Sequence, residues 1–221
     1  MSRFFIAADD PRVARLRKKD ARLGVVFDLL GDIEFDDYSD GYSFIVYEIV
    51  GQMISWRVAE ILCDRLKTLC NGEVCPRTIA RFPTAELRSI GLSRPKCEYI
   101  QGFTEAILNK ELVLEELENV SDDEAMKRLT AIRGIGTWTA KMYLLCVLRR
   151  DDVFPQEDKQ FVAAIKWLSN KEEATRDDLK KLRERWSPYS SVATLYLYRA
   201  VNSGLTSRPF AEYAKTAKRR R

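Results

Sequence analysis

The sequence contains no histidine. This absence excludes nucleophilic sites in which histidine activates a serine or cysteine, and it excludes metal sites built on imidazole. No run of 18 apolar residues occurs, so no membrane-spanning helix is predicted. The N-terminal residues lack the layout of a secretion signal, because their apolar run is short and acidic residues follow it. We therefore expect a cytoplasmic protein without a membrane partner.

Cysteine is scarce and irregularly spaced, with five residues and none after Cys146. The group Cys63, Cys70 and Cys75 resembles a metal-binding loop only superficially. We expect one buried thiol and two loop thiols in a reducing compartment. The net charge of +4 permits nucleic-acid binding without requiring it.

Helical periodicity dominates the chain, and no alternation of period two is long enough to predict a sheet. With 221 residues, 46% of them apolar, the chain forms one domain or two intimate subdomains. We expect a segment 1–40 that packs with the C-terminal part, a helical barrel 41–156, and a helical subdomain 157–221 whose basic tail is disordered from Lys215. Predicted helices run from Pro11 to Leu29 and over 42–69, 96–109, 112–118, 157–168, 175–185 and 188–202.

Two glycines flank one apolar residue between two helical patterns, at Gly134 and Gly136. A capping box of Ser121 and Glu124 starts the first helix near Asp122, and the second runs from about Thr137 to Leu148. Free amides at the start of the second helix would form an anion site, with hydroxyls from Thr137 and Thr139 beside it. A plain glycine turn between core helices explains the same residues about equally well.

The motif Leu-x-x-Ile-x-Gly-Ile-Gly-x-Trp-Thr-Ala at 129–140, followed by Asp-Val-Phe-Pro-x-x-Asp at 152–158, resembles the helix-hairpin-helix DNA glycosylases. Within them the chain is most similar to the 3-methyladenine DNA glycosylase II branch. Segments 49–55, 91–100 and 186–189 resemble further family motifs in the same order. The resemblance covers roughly residues 40–205.

The resemblance implies an all-α fold in which two helical subdomains flank a cleft for DNA and a flipped base. It implies a monomeric enzyme of base excision repair that acts on duplex DNA containing an alkylated purine, and that associates with the nucleoid if the source is bacterial. Some relatives carry an iron–sulfur cluster on cysteines after the catalytic aspartate. We expect no cofactor here, and we expect the N-terminal sheet domain of a longer member to be missing.

Asp158 is the implied catalytic residue, since a fixed carboxylate stabilises the positive charge that develops on the sugar as the glycosidic bond breaks. From residue type alone, Asp158 in the first turn of a helix would merely cap that helix. The spacing to the hairpin favours catalysis. We expect Asp151, Asp152 and Glu157 to face solvent.

The resemblance places the base pocket at Trp138, Met142 and Tyr198, where aromatic faces attract cationic purines. Met142 stands where the best-known member of the branch has a tyrosine, and Ser190 replaces an arginine of the C-terminal motif. Trp138 stands where strand-cutting relatives carry a Schiff-base lysine, and Lys141 should face elsewhere. A monofunctional glycosylase is therefore implied, although core packing also explains Trp138.

The family places its DNA wedge after a Gly-Gln pair, which makes Met53 the wedge and Gln52 a contact to the opposite strand. A core methionine on a long helix explains Met53 about as well. Two other functions stay open at this point. One is a non-catalytic DNA-damage sensor that shares the hairpin but does not require Asp158. The other is a glycosylase for deaminated, mismatched or oxidised bases.

Overall fold

The computed structural model describes residues 3–36, Tyr38 and residues 40–219. The chain folds into two compact units. The terminal unit comprises residues 1–37 and 150–221, and the central unit comprises residues 38–149. The sequence analysis drew these boundaries at 40/41 and 156/157.

Helices make up most of both units, as predicted. The terminal unit contains β1 (Arg3–Ile6), α1 (Pro11–Lys19), α2 (Ala21–Leu30), β2 (Ile33–Asp36), α10 (Lys159–Ser169), α11 (Arg176–Trp186), α12 (Ser190–Asn202), a 3₁₀ turn (Leu205–Ser207) and α13 (Phe210–Arg219). The central unit contains α3 (Gly41–Gly51), α4 (Trp56–Leu69), α5 (Pro76–Ile79), α6 (Thr84–Ser89), α7 (Arg94–Leu108), a 3₁₀ helix (Leu114–Asn119), α8 (Asp122–Thr130) and α9 (Thr137–Cys146). Among the described residues, no helix has the length and apolar character needed to cross a membrane.

A small antiparallel sheet in the terminal unit was not predicted. Strands β1 and β2 pair from Arg3 opposite Asp36 to Ile6 opposite Ile33. The two isoleucines are buried, and the rings of Phe4 and Phe35 stack with centroids 5.8 Å apart. Four residues per strand give too short an alternation to distinguish from a loop, and pairing between distant segments has no local signal.

The predicted helix from Pro11 to Leu29 is wrong, because Asp20 divides it into α1 and α2. Its backbone is extended, and its carboxylate accepts hydrogen bonds from the amides of Arg22 (3.0 Å) and Leu23 (3.4 Å). The second carboxylate oxygen accepts the indole N–H of Trp186 at 3.0 Å. Aspartate is more stable at the N-cap of a helix than in its interior. The hydrogen bond from the buried indole of Trp186 further stabilises Asp20 in this position.

The predicted helix over 42–69 is also wrong, because residues 52–55 separate α3 from α4. Met53 has a φ of +58°, a conformation that no residue within an α-helix adopts. Ser55 is the N-cap of α4. The apolar run over both helices concealed this break, because it continues the helical period across the loop.

The expectation of a solvent-facing Asp152 is wrong. Its half-buried carboxylate accepts hydrogen bonds from the hydroxyl of Ser187 (2.7 Å) and from the amide (3.1 Å) and hydroxyl of Ser190. Burial acts to raise the pKa of Asp152, but the hydrogen bonds from Ser190 and Ser187 outweigh it and lower the pKa below its ordinary value. Asp152 thus joins the segment before α10 to the start of α12.

The tail predicted to be disordered from Lys215 is helical as far as the structure describes it. Helix α13 runs through Arg219, and Arg220 and Arg221 lie outside the described residues. Phe210 anchors the helix, since it is buried and contacts Trp167 edge-on with ring centroids 5.1 Å apart. The basic composition of the tail gave no indication of this aromatic contact.

Asp152→Asn should lower the free energy of unfolding by about 1–3 kcal/mol at pH 7, because the charge-assisted hydrogen bonds are lost and the amide, with its oxygen facing the donors of Ser190, places its NH2 against the hydroxyl of Ser187. The pKa of Asp152 is lower in the folded state than its ordinary value of 3.8. Its contribution is therefore complete above that value and is lost as the pH falls through the folded-state pKa. Urea unfolding should show the difference between the two proteins shrinking as the pH falls below 3.8.

Asp123→Asn is the matched control, since Asp123 is exposed on α8. It should change stability by less than about 0.5 kcal/mol at neutral and at acidic pH. A wild-type advantage over Asp152→Asn that did not shrink at any pH below 3.8 would contradict the role given to the Asp152 charge.

Candidate nucleic-acid interface and catalytic carboxylate

The hairpin of the central unit forms as predicted between α8 and α9. Ser121 caps α8 by accepting the amide of Glu124 at 3.3 Å, so the helix begins at Asp122. The carboxylate of Glu124 pairs with Arg128 at 2.8 Å, whereas a capping box would direct it back to Ser121. Ala125 and Leu129 are buried on the inner face of α8.

Gly134 makes the turn between these helices, and only glycine fits there. Its φ is +95°, and a β-carbon at this position would lie 2.4–2.8 Å from the side chain of Tyr99. The carbonyl of Gly134 accepts the side-chain amide of Gln52 at 2.9 Å. One N–H of the Gln52 side-chain amide is therefore used within the protein, where it ties the 52–55 loop to the hairpin.

Gly136 is the N-cap of α9, and neither its backbone conformation nor its packing requires a glycine. Its φ of −86° is open to any residue, and a β-carbon would meet no atom within 4 Å. Thr137 is exposed beside it, and among the described residues no side chain caps this helix end. The helix start thus offers backbone amides and a hydroxyl to an anion.

Thr139 does not belong to this surface. Its side chain is 2% exposed, so the prediction that its hydroxyl contacts DNA is wrong. The reason is helical geometry, because a residue two positions after Thr137 lies on a different face of the helix. Only the first of the two predicted hydroxyls lies at the exposed helix start.

Met53 projects from the loop between α3 and α4 and is fully exposed, at 101% of its reference area. The alternative of a core methionine is therefore wrong. Trp56, at the first position of α4, is 70% exposed and faces the guanidinium of Arg57. The sequence analysis missed Trp56. Its only signal was a large aromatic residue next to the predicted wedge.

The residues predicted to line the base pocket fall in both units. Trp138 is half-buried in the first turn of α9, and Met142, one turn later, is 6% exposed. Lys141 is half-buried on the same helix. Tyr198 lies on α12 of the terminal unit and is half-buried. Ser190, which replaces the arginine of the C-terminal motif, is fully buried.

Asp158 is the N-cap of α10, one position earlier than the predicted first turn. Its Oδ1 accepts hydrogen bonds from the amides of Gln160 (2.7 Å) and Phe161 (3.2 Å). Its Oδ2 accepts the hydroxyl of Tyr198 at 2.6 Å. The structure therefore brings together two residues that the sequence analysis placed in separate roles. The side chain of Asp158 remains partly exposed.

All five cysteines are free thiols, and Cys70 and Cys97 are buried. Cys63 lies within α4 and is half-buried, as is Cys75, so the one buried thiol expected among Cys63, Cys70 and Cys75 is Cys70. Over the described part of the chain, no group of three or more histidine, cysteine, aspartate or glutamate side chains could hold a metal ion.

Residues 46–188 match the HhH-GPD superfamily of base excision DNA repair proteins. The chain belongs to this superfamily. The matched range contains the hairpin, the exposed loop at Met53 and the Asp158 carboxylate, so the features described above are those of an HhH-GPD protein.

Individual relatives of this HhH-GPD chain carry one recurring name. A DNA-3-methyladenine glycosylase of Bacillus subtilis is 36% identical over 124 residues, which are 56% of this chain and 41% of the relative. A second Bacillus subtilis protein is 35% identical over 173 residues, which are 76% of this chain and 60% of that protein. The chain thus spans about two fifths and three fifths of the lengths of these two relatives.

Solved structures of HhH-GPD proteins agree with the fold. A DNA-3-methyladenine glycosidase from Bacillus halodurans has a TM-score of 0.78 and 31% identity, with 89% of this chain and 92% of that chain covered. The 3-methyladenine DNA glycosylase of Schizosaccharomyces pombe, solved with abasic DNA, has a TM-score of 0.78 and 26% identity. The matched region covers 86% of this chain and 95% of that chain.

Gly134→Ala should lower the free energy of unfolding by about 2–4 kcal/mol, because it combines a left-handed backbone with overlap against Tyr99. Gly136→Ala is the matched control, with an expected cost below about 1 kcal/mol, because alanine is a poorer N-cap than glycine but restricts the unfolded chain. Urea unfolding of both variants measures the difference. Equal losses would show that the turn does not depend on the conformation of Gly134.

Proposed function

We propose that this chain is a DNA glycosylase of base excision repair that hydrolyses the N-glycosidic bond of alkylated purines in duplex DNA. The observation that carries the proposal is the Asp158 carboxylate, held by two backbone amides and a tyrosine hydroxyl at a helix N-terminus. The names of the relatives from Bacillus and Schizosaccharomyces support the same substrate class. A non-catalytic damage sensor has no need of such a carboxylate.

In the proposed reaction, the bond between C1′ and the purine nitrogen breaks and its electron pair leaves with the base. A purine alkylated at N3 or N7 carries a positive charge, so it departs as a neutral molecule. The deoxyribose becomes cation-like, and the fixed charge of Asp158 stabilises it. Water then bonds to C1′ and loses a proton to the carboxylate or to solvent. The product is an abasic site.

The central unit supplies the proposed DNA grip. Backbone amides at Gly136 and Thr137 bind a phosphate of the duplex, which positions the protein without reading sequence. Met53 fills the space left when the damaged nucleotide rotates out of the helix. The DNA-bound relative from Schizosaccharomyces pombe supports a DNA partner. We propose that the protein acts as a monomer in the cytoplasm and needs no metal or iron–sulfur cluster.

Trp138, Met142 and Tyr198 are the proposed contacts of the flipped base. A flat aromatic face attracts a cationic purine more strongly than a neutral one, which favours alkylated over deaminated or oxidised bases. Since Trp138 replaces the Schiff-base lysine of strand-cutting relatives, no covalent intermediate is expected. The DNA strand should therefore remain intact.

The purified chain should release 3-methyladenine or 7-methylguanine from methylated duplex DNA without added metal or nucleotide. Asp158→Asn should reduce the rate on the order of 10²-fold or more while DNA binding persists, because the amide keeps the shape and loses the charge. Chromatography of the released bases measures the rate, and a denaturing gel of the same reactions should show uncut strands. DNA binding without release of any modified base would favour the sensor instead.

Gly136→Val and Met53→Ala should separate the grip from the wedge. Gly136→Val should weaken binding to every duplex and lower the salt slope by about one unit, because one phosphate contact is lost. Met53→Ala should leave undamaged-duplex binding and its salt slope unchanged and depress excision. Affinity measured over a salt series, together with the excision rate, distinguishes them. Equal losses of binding with equal changes in slope would refute the two roles.

A further inference from the structure

The carboxylate of Asp158 is held from two sides by different parts of the chain. On one side, Oδ1 accepts the amides of Gln160 and Phe161 in the first turn of α10. On the other, Oδ2 accepts the hydroxyl of Tyr198, which lies forty residues further along on α12. Rotation of the carboxylate would break bonds on both sides. A group fixed in this way needs no reorganisation when charge develops next to it.

Tyr198 is itself held by packing within the terminal unit. Its ring lies against Phe161, with centroids 6.1 Å apart and planes tilted by 56°. Phe161 is fully buried and contacts Phe154 edge-on at 4.9 Å, and Phe154 in turn contacts Trp186. This aromatic row joins α10 to α12 and presents the hydroxyl from a rigid element, which is how a precise site is supported.

We propose that Tyr198 is a positioning residue for Asp158, and that excision depends on its hydroxyl in addition to any base contact of its ring. This inference rests on the proposed glycosylase function. It differs from the base-contact role, because stacking uses the face of the ring and positioning uses the O–H. The phenol bond fixes the direction of Oδ2, the carboxylate oxygen not occupied by the helix cap, and so fixes where the negative charge faces the sugar.

Tyr198→Phe separates the two roles, because it keeps the ring and removes only the hydroxyl. In single-turnover excision of 7-methylguanine from a defined duplex, the rate of the chemical step should fall about 10- to 100-fold, the scale expected when a reacting group is misplaced by a fraction of a bond length. Affinity for the duplex should stay within about twofold. A rate within twofold of wild type would overturn the inference.

Tyr196→Phe is the matched control on the same helix. The Tyr196 hydroxyl donates to the carbonyl of Gly31 at 2.8 Å, so this variant loses a comparable hydrogen bond away from Asp158. It should lower stability and leave the rate unchanged. If Tyr196→Phe slowed excision as much as Tyr198→Phe, the slower rate would come from general loss of stability, and the positioning role would be wrong.

A double-mutant cycle tests whether the hydroxyl acts through Asp158. In the Asp158→Asn protein, adding Tyr198→Phe should slow excision by less than about twofold, since the charge to be positioned is already gone. A full further loss in that background would mean that Tyr198 acts by another route, and it would overturn the inference while leaving the glycosylase function intact.

A binding measurement provides a readout besides activity. Two duplexes carry, in place of one nucleotide, either a cationic pyrrolidine ring or an uncharged tetrahydrofuran ring. The wild type should prefer the pyrrolidine, and Tyr198→Phe should lose at least half of that preference on a logarithmic scale. An unchanged preference would contradict the positioning role. If the wild type neither preferred the cation nor released any base, the proposed function itself would fail, and the inference with it.

Discussion

Gly134 has a left-handed backbone with the side chain of Tyr99 against its α-carbon, and the hairpin depends on this one contact. A side chain at this position would have to displace an aromatic residue of α7. Because the turn is fixed in this way, α9 begins two residues later with its amide end exposed at Gly136. The bond from Gln52 to the carbonyl of Gly134 then ties the exposed Met53 loop to the same turn. The proposed grip at the start of α9 and the proposed wedge at Met53 are thus joined through this one turn of the central unit.

The terminal unit depends on a different device, an aspartate that caps a helix and also binds a distant aromatic side chain. Asp20 caps α2 and accepts the indole of Trp186, and Asp158 caps α10 and accepts the phenol of Tyr198. In both cases one carboxylate oxygen serves the helix and the other serves a side chain more than thirty residues away in sequence. Local chain direction and tertiary packing are thereby fixed by the same group.

The sequence was sufficient for the helical class, the hairpin and the position of its glycines, because these features have local signals: periodicity, caps and Gly-x-Gly spacing. The breaks in the helices at Asp20 and Met53 were not predicted, since in both places apolar residues keep the helical period across the break. The β1–β2 pair and the hydrogen-bond partners of Asp152 were not predicted for another reason. They join residues far apart in the chain, and no window of sequence contains both partners.

The hydrogen bonds around Asp158 were not predicted from the sequence. The two interpretations of Asp158, helix cap and catalytic carboxylate, are compatible, since Oδ1 accepts the backbone amides and Oδ2 accepts the hydroxyl of Tyr198. Capping therefore does not count against the proposed catalysis; it supplies the rigidity that an electrostatic role requires.

Asp20 shows what distinguishes a structural cap from a candidate site. Its side chain makes the same two kinds of bond, but the residue is 5% exposed and its second oxygen accepts the indole of Trp186 and pairs with Arg185 at 3.5 Å. Asp158 is partly exposed, and the group on its second oxygen is a hydroxyl at the end of a half-buried ring. A carboxylate can stabilise charge on a ligand only if the ligand can approach it. Of these two carboxylates, bound in the same way, only Asp158 meets that condition.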